Sequence, residues 1–209
     1  MIIMQTHSAI ARRDYLQSHN LARVIFEHEL EESVCMQYHP KGIKGGVMPE
    51  LDSHFIKEGV VDGVKERVAP WHACGPASGW ERYGEAMRKF GHLWLLGVKL
   101  QLGEKDRDVE GAARQWESLF GVKRVGRREV GFTNARMLFL EGKEGESEGL
   151  KEIVVGIEGR KKLQGVLRRA RGEGFEVNEE AEGNGGTFAM LGVRWRFVLL
   201  EEGPIKSQL

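Results

Sequence analysis

The sequence predicts an α+β fold organised around a strand–helix–three-strand unit that occurs twice in tandem. Three observations predict it. Between Leu95 and Leu140 an extended apolar run is followed by one amphipathic helix pattern and then three short extended segments. The same order returns between Leu150 and Leu200. Each helix pattern is also bounded by residues that start or stop helices, so the two periodicities stay separate.

Leu95 to Leu102 opens the first unit, and its second half alternates apolar with polar residues, as a half-buried strand does. Asp106 or Asp108 can cap the helix that follows, because a short carboxylate accepts the free N–H groups of a first turn. Val109, Ala112, Ala113, Trp116, Leu119 and Phe120 recur at three- and four-residue spacing and form one apolar stripe. Gly121 ends the helix, since glycine takes a left-handed C-terminal position at least cost. Val122 to Arg127, Glu129 to Thr133 and Arg136 to Leu140 read as three short strands. In the second unit, Leu150 to Ile157 is a strand. Arg160 to Arg171 is a helix with Leu163, Val166, Leu167 and Ala170 on one side, closed by Gly172 and Gly174. Thr187 to Leu191 and Val193 to Leu200 are further strands. Residue identity between the two units is low, so the repeat is one of pattern.

The segments AARQWESLFGV, IVVGIEGRKKLQGVLRRARGEGF and GVRWRFVLLEE, in that order, resemble the glyoxalase-like, vicinal oxygen chelate superfamily. The resemblance covers Leu93 to Glu202 and rests on element order, without an invariant motif. It implies paired βαβββ modules whose curled mixed sheets enclose a cleft, as in glyoxalases and bleomycin-resistance proteins. Upstream, YHPKGIKGGVMPELDSH and WHACGP resemble a mostly fungal branch of these proteins. The expected division is residues 1–90 as a partial N-terminal module of hairpin, extended arm and linker, and residues 91–209 as the glyoxalase-like pair.

Composition narrows the function classes. The 209 residues are 41% hydrophobic and 30% charged, as in ordinary globular proteins. Lys+Arg and Asp+Glu both total 31, so no net field draws nucleic acid or an anionic membrane. The basic run from Arg160 to Arg171 reads as a solvated helix face in preference to a phosphate patch. Cys35 and Cys74 have no paired spacing and read as reduced thiols of a cytoplasmic protein. Met1 to Ile10 lacks the long apolar core of a secretion signal, and no run is long enough to span a bilayer.

The N-terminal part carries weaker patterns. Ala9 to Gln17 reads as a helix, and Leu21 to Phe26 with Ser33 to Tyr38 as a hairpin across the acidic turn Glu29 to Glu32. His39 to Gly46 is a glycine-rich turn, but Pro49 and an extended segment follow it, which excludes a phosphate loop. Val47 to Phe55 reads as a strand, Lys57 to Ala69 as a polar linker, and Trp71 to Pro76 as a compact loop. Trp80 to Phe90 reads as a short helix bearing Tyr83, Ala86, Met87 and Phe90. With no evident opening strand–helix pair, this part reads as an incomplete module, and its open sheet predicts a homodimer.

Glu50, Asp52 and His54 are the sharpest chemical cluster. On a strand, positions i, i+2 and i+4 share a face, and two carboxylates with an imidazole suit Zn, Mn or Fe(II). The alternative is a polar strand face; His28 and His39 could approach the same surface. His54 or His72 with Glu50 or Asp52 are the candidate acid–base groups, and Cys74 beside His72 a weaker nucleophile candidate. Candidate ligand contacts are Trp71, Tyr83, Asn134, Arg136 and Trp195, with Arg194 and Arg196 also able to take a carboxylate or enolate. Trp94, Trp116, Phe132, Phe139, Trp195 and Phe197 could line a cavity or simply pack the core.

The resemblance implies metal ligands on the first and last strands of each module. It places Val98 or Lys99, Phe139 with Glu141, Glu152, and Val198 with Glu201 at those positions. Only Glu152 is a fitting donor, so the usual metal centre, and glyoxalase I activity with it, is expected to be absent from the C-terminal modules. The expected function is therefore a glyoxalase-like protein that binds or acts on a carbonyl-containing metabolite, without nucleic acid or membrane. Whether it is a lyase or isomerase is left open. The alternatives are a metal-dependent lyase, isomerase or oxygenase using Glu50, Asp52 and His54, or a non-catalytic ligand-sequestering or dimeric structural protein.

Overall fold

The structure, a computed structural model, describes residues 1–31, 33–54, 80–133 and 135–200; the side chains of His54, Trp80, Glu81, Tyr83 and Ala86 fall outside that description. The expected linker at Lys57 to Ala69 and loop at Trp71 to Pro76 lie outside the described residues. The chain divides into two compact units, Met1–Ile43 with Val47–Phe90, and Lys44–Gly46 with Gly91–Leu209. Among the described residues, no helix is long and apolar enough to cross a membrane.

The first unit contains β1 (Ile2–Gln5), α1 (Ala9–Ser18), β2 (Val24–Glu29), β3 (Ser33–Tyr38), β4 (Pro49–His54) and α2 (Trp80–Lys89). Its strands run in the order β1-β4-β3-β2, with β1 parallel to β4 and the other pairs antiparallel. This is a whole strand–helix–three-strand unit, which corrects the expectation of a missing opening pair. Two features hid that pair. β1 is only four residues of Ile-Ile-Met-Gln, too short to alternate, and α1 buries only Ala9 and Leu16, too few positions to mark a stripe. Ser8 caps α1 by accepting the Ala11 N–H, and Ser53 Oγ of β4 accepts that of Ala9, so strand and helix are tied where they meet. Met4, Val34, Met36 and Leu51 are buried on the α1 side of the sheet.

The second unit contains β5 (Leu93–Gln101), α3 (Val109–Phe120), β6 (Lys123–Gly126), β7 (Glu129–Gly131), β8 (Arg136–Leu140), β9 (Gly149–Glu158), α4 (Arg160–Gly172), β10 (Asn178–Glu179), β11 (Gly185–Met190) and β12 (Val193–Leu200). One eight-stranded sheet holds them in the order β10-β11-β12-β9-β5-β8-β7-β6. Each half repeats the connectivity of the first unit, with the first strand parallel to the last. The halves join where β5 pairs antiparallel with β9. The tandem modules read from sequence are present, with strands β8 and β12 at the expected residues.

Helix ends follow the residues that predicted them. Asp108 caps α3 by accepting the Gly111 N–H at 2.8 Å, and Gly121 is left-handed with φ 70°. Asp106 shapes the turn before it, accepting the Asp108 N–H at 2.9 Å and pairing with Lys44 at 2.7 Å. The basic face of α4 is used locally: Arg160 donates to the Glu182 carbonyl at 2.7 Å and to Asn184 Oδ1 at 2.9 Å, and Arg171 pairs with Glu179. The glycine-rich turn is occupied too. The Lys44 N–H donates to Gln115 Oε1 and the Gly45 N–H to Glu148 Oε1, each at 2.7 Å, and Trp116 Nε1 donates to the Lys44 carbonyl at 2.8 Å.

Both helices cover one face of the eight-stranded sheet. Under α3 lie Trp116, Phe120 and Phe139, with ring centroids 5.0 and 6.3 Å from Trp116. Under α4, Leu163, Leu167 and Ala170 pack on Ile157, Phe188 and Phe197, and Trp195 joins this cluster half-buried. Burial of such side chains contributes about 1.5–3 kcal/mol each. Gly97 admits the close approach of β5 to β8, because a Cβ there would lie 2.5 Å from the Arg136 carbonyl oxygen.

Candidate functional site

α1 covers the apolar face of the four-stranded sheet, and α3 and α4 that of the eight-stranded one, so chemistry collects on the opposite faces. In the first unit, β-pairing brings Gln5 opposite Asp52, Cys35 opposite Asp52 from the other side, and Gln37 opposite Glu50. Gln5, Cys35, Gln37, Glu50 and Asp52 therefore share the face away from α1. Glu50 and Asp52 are 5% and 0% exposed. The register sets Glu50 and Asp52 on one face of β4 and pairs the backbone of His54 with Ser33; the His54 side chain lies outside the described residues.

A cluster emerges here that sequence spacing did not reveal. Ligand atoms of Cys35, Glu50 and Asp52 all lie within 4.8 Å of one another. Gln37 Nε2 donates to Glu50 Oε2 at 2.6 Å, holding that carboxylate in place. Burial, then the negative charges of Asp52 and Glu50, push the Cys35 thiol up to about 12. A thiol held so firmly protonated is a poor nucleophile. A divalent cation alters that, since it neutralises the carboxylates and displaces the thiol proton. A thiolate and two carboxylates are a donor set for such an ion. His28 stands opposite Cys35 on β2 but is exposed, with its ring near Phe26; His39 accepts the Lys41 N–H in the following turn, away from the cluster.

In the second unit, the face away from α3 and α4 is lined by charges. Lys99 stands directly opposite Glu152 across the β5–β9 seam, and Lys99 Nζ is 2.7 Å from Glu152 Oε1. Their side chains are 28% and 7% exposed. Arg194, opposite Glu152 on β12, approaches its other oxygen at 3.7 Å. Arg136 pairs with Glu129 at 3.5 Å, and Arg196 with Glu180 at 2.8 Å. Lys99 and Glu152 both occupy positions that the resemblance reserves for metal ligands, but an ammonium already neutralises the one suitable carboxylate. The remaining positions fit no better. Phe139 is fully buried under α3, and Glu141 pairs with Arg107. Among the described residues of this sheet, no group of three donors converges as a metal centre needs.

The other anticipated contacts divide by location. Arg136, Arg194 and Arg196 lie on the charged face; Trp195 lies on the opposite face, in the α4 core, which separates it from them. Its indole was read as a ligand contact because alternation alone does not say which strand face meets a helix. Trp71, His72, Cys74, Asn134 and Glu201 lie outside the described residues, as does the Tyr83 side chain.

No sequence-family model and no curated protein matches the chain. Solved structures do resemble it in fold. The Mn(II)-bound glyoxalase from Novosphingobium aromaticivorans is 13% identical with a TM-score of 0.56, the match covering 100% of this chain and 65% of that one. A hypothetical protein from Staphylococcus aureus is 11% identical with a TM-score of 0.54, covering 95% and 64%. The 2,2',3-trihydroxybiphenyl 1,2-dioxygenase from Sphingomonas wittichii is 8% identical with a TM-score of 0.53, covering 100% and 73%. The chain thus spans just under two thirds of the length of the first two, at 65% and 64%. At these identities the likeness is one of architecture: the chain has the glyoxalase-type, vicinal oxygen chelate fold.

Proposed function

We propose that this chain is a glyoxalase-like small-molecule-binding protein, of the mostly fungal branch that its upstream segment resembles, acting in the cytoplasm. Its eight-stranded sheet binds a carbonyl-containing metabolite without the usual metal. The Lys99–Glu152 pair carries this reading, because it places an ammonium where a metal-dependent relative needs donors. Lys99, Arg136, Arg194 and Arg196 give the same face cationic groups able to take a carboxylate or enolate, as guanidinium forks do. A 2-oxo acid combines both features. The test is calorimetric titration with 2-oxo acids and with neutral ketones of the same size, on wild type and on Arg194→Ala. The 2-oxo acids should bind, neutral ketones should not, and the variant should weaken binding at least tenfold. Equal binding of acids and ketones, or no effect of Arg194→Ala, overturns the reading.

One observation favours a second reading, a divalent-cation site in the first unit. Cys35, Glu50 and Asp52 converge as described, and with His54 they would hold the ion; bound there, it would supply Lewis acidity. Glu50 or His54 would then move the substrate proton, which is the lyase or isomerase alternative. Elemental analysis of untagged protein should find one transition metal per chain, lost in Asp52→Asn. No metal after incubation with Zn, Mn, Fe(II) or Ni removes this reading and leaves the first intact.

A further inference from the structure

One row of side chains on the charged face of the eight-stranded sheet can do more than bind. Register sets Arg194, Glu152 and Lys99 side by side across β12, β9 and β5. Lys99 Nζ lies 2.7 Å from Glu152 Oε1, and Arg194 Nη1 lies 3.7 Å from Oε2, so an amine and a guanidinium meet on one carboxylate. The three differ in access. Glu152 is 7% exposed, Lys99 28% and Arg194 66%, so an incoming molecule meets the cations first. Two cations against one carboxylate leave this row one positive charge, which one anionic group on a ligand balances. At 3.7 Å the Arg194 contact is longer than a hydrogen bond, which leaves its planar fork able to turn to a second carboxylate.

A 2-oxo acid has its ketone carbon bonded directly to its carboxylate, so it presents both groups to these two cations at once. With the carboxylate on Arg194, the ketone carbon is left to Lys99 Nζ, which already has a proton acceptor in contact. We infer that Lys99 forms an imine with bound 2-oxo acids, with Glu152 as its proton shuttle and counter-ion. The imine presupposes the 2-oxo acid binding proposed above and adds a covalent bond to it. The step balances without a co-reactant. Glu152 takes one proton from the ammonium, and the neutral amine adds its electron pair to the ketone carbon. The C=O pair moves to oxygen, which takes a second proton from the nitrogen. Glu152 then returns its proton to that hydroxyl, which leaves as water while the nitrogen pair forms C=N. The product is a protonated imine beside an ionised Glu152. The buried carboxylate therefore has a cationic partner before and after the reaction, and the reaction strands no charge.

Reductive trapping on the full chain tests this. Pyruvate with sodium cyanoborohydride should fix one N-carboxyethyl group per chain, read by intact-mass spectrometry, and peptide mapping should put it on Lys99. Lys99→Arg keeps a cation against Glu152, and so the fold, but a guanidinium does not take a lysine's place in an imine. It should bind pyruvate within about threefold of wild type and trap none of it. Glu152→Gln should slow trapping about a hundredfold, as loss of a general acid–base group does. Wild type that binds pyruvate yet stays unlabelled overturns the imine and leaves the ligand reading standing. Label on another lysine, label retained in Lys99→Arg, or an unchanged rate in Glu152→Gln also overturns it. Failure of pyruvate to bind at all overturns both readings.

Discussion

Removing Lys99 should cost more than removing the whole Lys99–Glu152 pair. At 2.7 Å the pair gains about 6 kcal/mol of Coulomb energy at an effective dielectric near 20, most of it offset by loss of water. Because Glu152 is 7% exposed and Lys99 28%, the carboxylate bears most of that loss. Among the described residues, Lys99→Met strands it with only Arg194 at 3.7 Å, itself 66% exposed. A fully buried broken pair costs about 3–5 kcal/mol, and the partial exposure here lowers that to about 2–3. Glu152→Met leaves an ammonium that can turn toward water, at about 1 kcal/mol. The double variant should cost no more than about 1 kcal/mol, since methionines pack the site without charge. The expected coupling is about 2 kcal/mol, read from urea unfolding of the four proteins by tryptophan fluorescence, with unchanged m-values. Coupling below about 0.5 kcal/mol would refute the assignment of a paired, desolvated seam.

Two further outcomes follow from the same geometry. With its thiol pushed up to about 12 by burial and by Asp52 and Glu50, Cys35 should react with iodoacetamide at pH 8 about a thousandfold more slowly than a free thiol. Peptide mapping should show that rate rising about tenfold per pH unit to pH 10; a plateau near pH 8–9 would contradict it. The sign for stability is fixed: an acid raised on folding favours the fold below its unfolded value, and this is lost as pH climbs from about 9 towards 12. For the tryptophans, Trp116→Phe should cost about 2–3 kcal/mol, because it empties fully buried volume and removes the bond to the Lys44 carbonyl. Trp195→Phe should cost about 1 kcal/mol or less, since its buried Nε1 has no acceptor among the described residues; thermal melts giving the reverse order would refute this.

What the residues made legible was local. The 3.6-residue stripe of α3, its Asp108 cap and its Gly121 stop are written within a dozen positions, and they emerge where the pattern put them. The shared face of Glu50 and Asp52 was legible for the same reason, since strand alternation is a local rule. Cys35 was not, because it joins them only through the β3–β4 register, across the turn between Tyr38 and Pro49. Lys99 and Glu152 were each singled out as ligand positions, yet their meeting requires an antiparallel seam between two modules' first strands. Side-chain alternation also left Trp195 and Arg194 equivalent until α4 chose a face.

The β5–β9 seam also decides which module accepts which. Val98 pairs with Ile153, and on either side of them Gly97 meets Val154 and Lys99 meets Glu152. A two-fold axis through the Val98–Ile153 pair makes Lys99 equivalent to Val154 and Glu152 to Gly97. Two copies of the first of these modules, joined the same way, would set Lys99 against Gly97. Two copies of the second would set Glu152 against Val154, a carboxylate in an apolar seam with no cation opposite. Each self-pairing leaves a charge uncompensated, and only the mixed pair cancels both. The halves are alike in connectivity, and this lysine and glutamate make them lock and key.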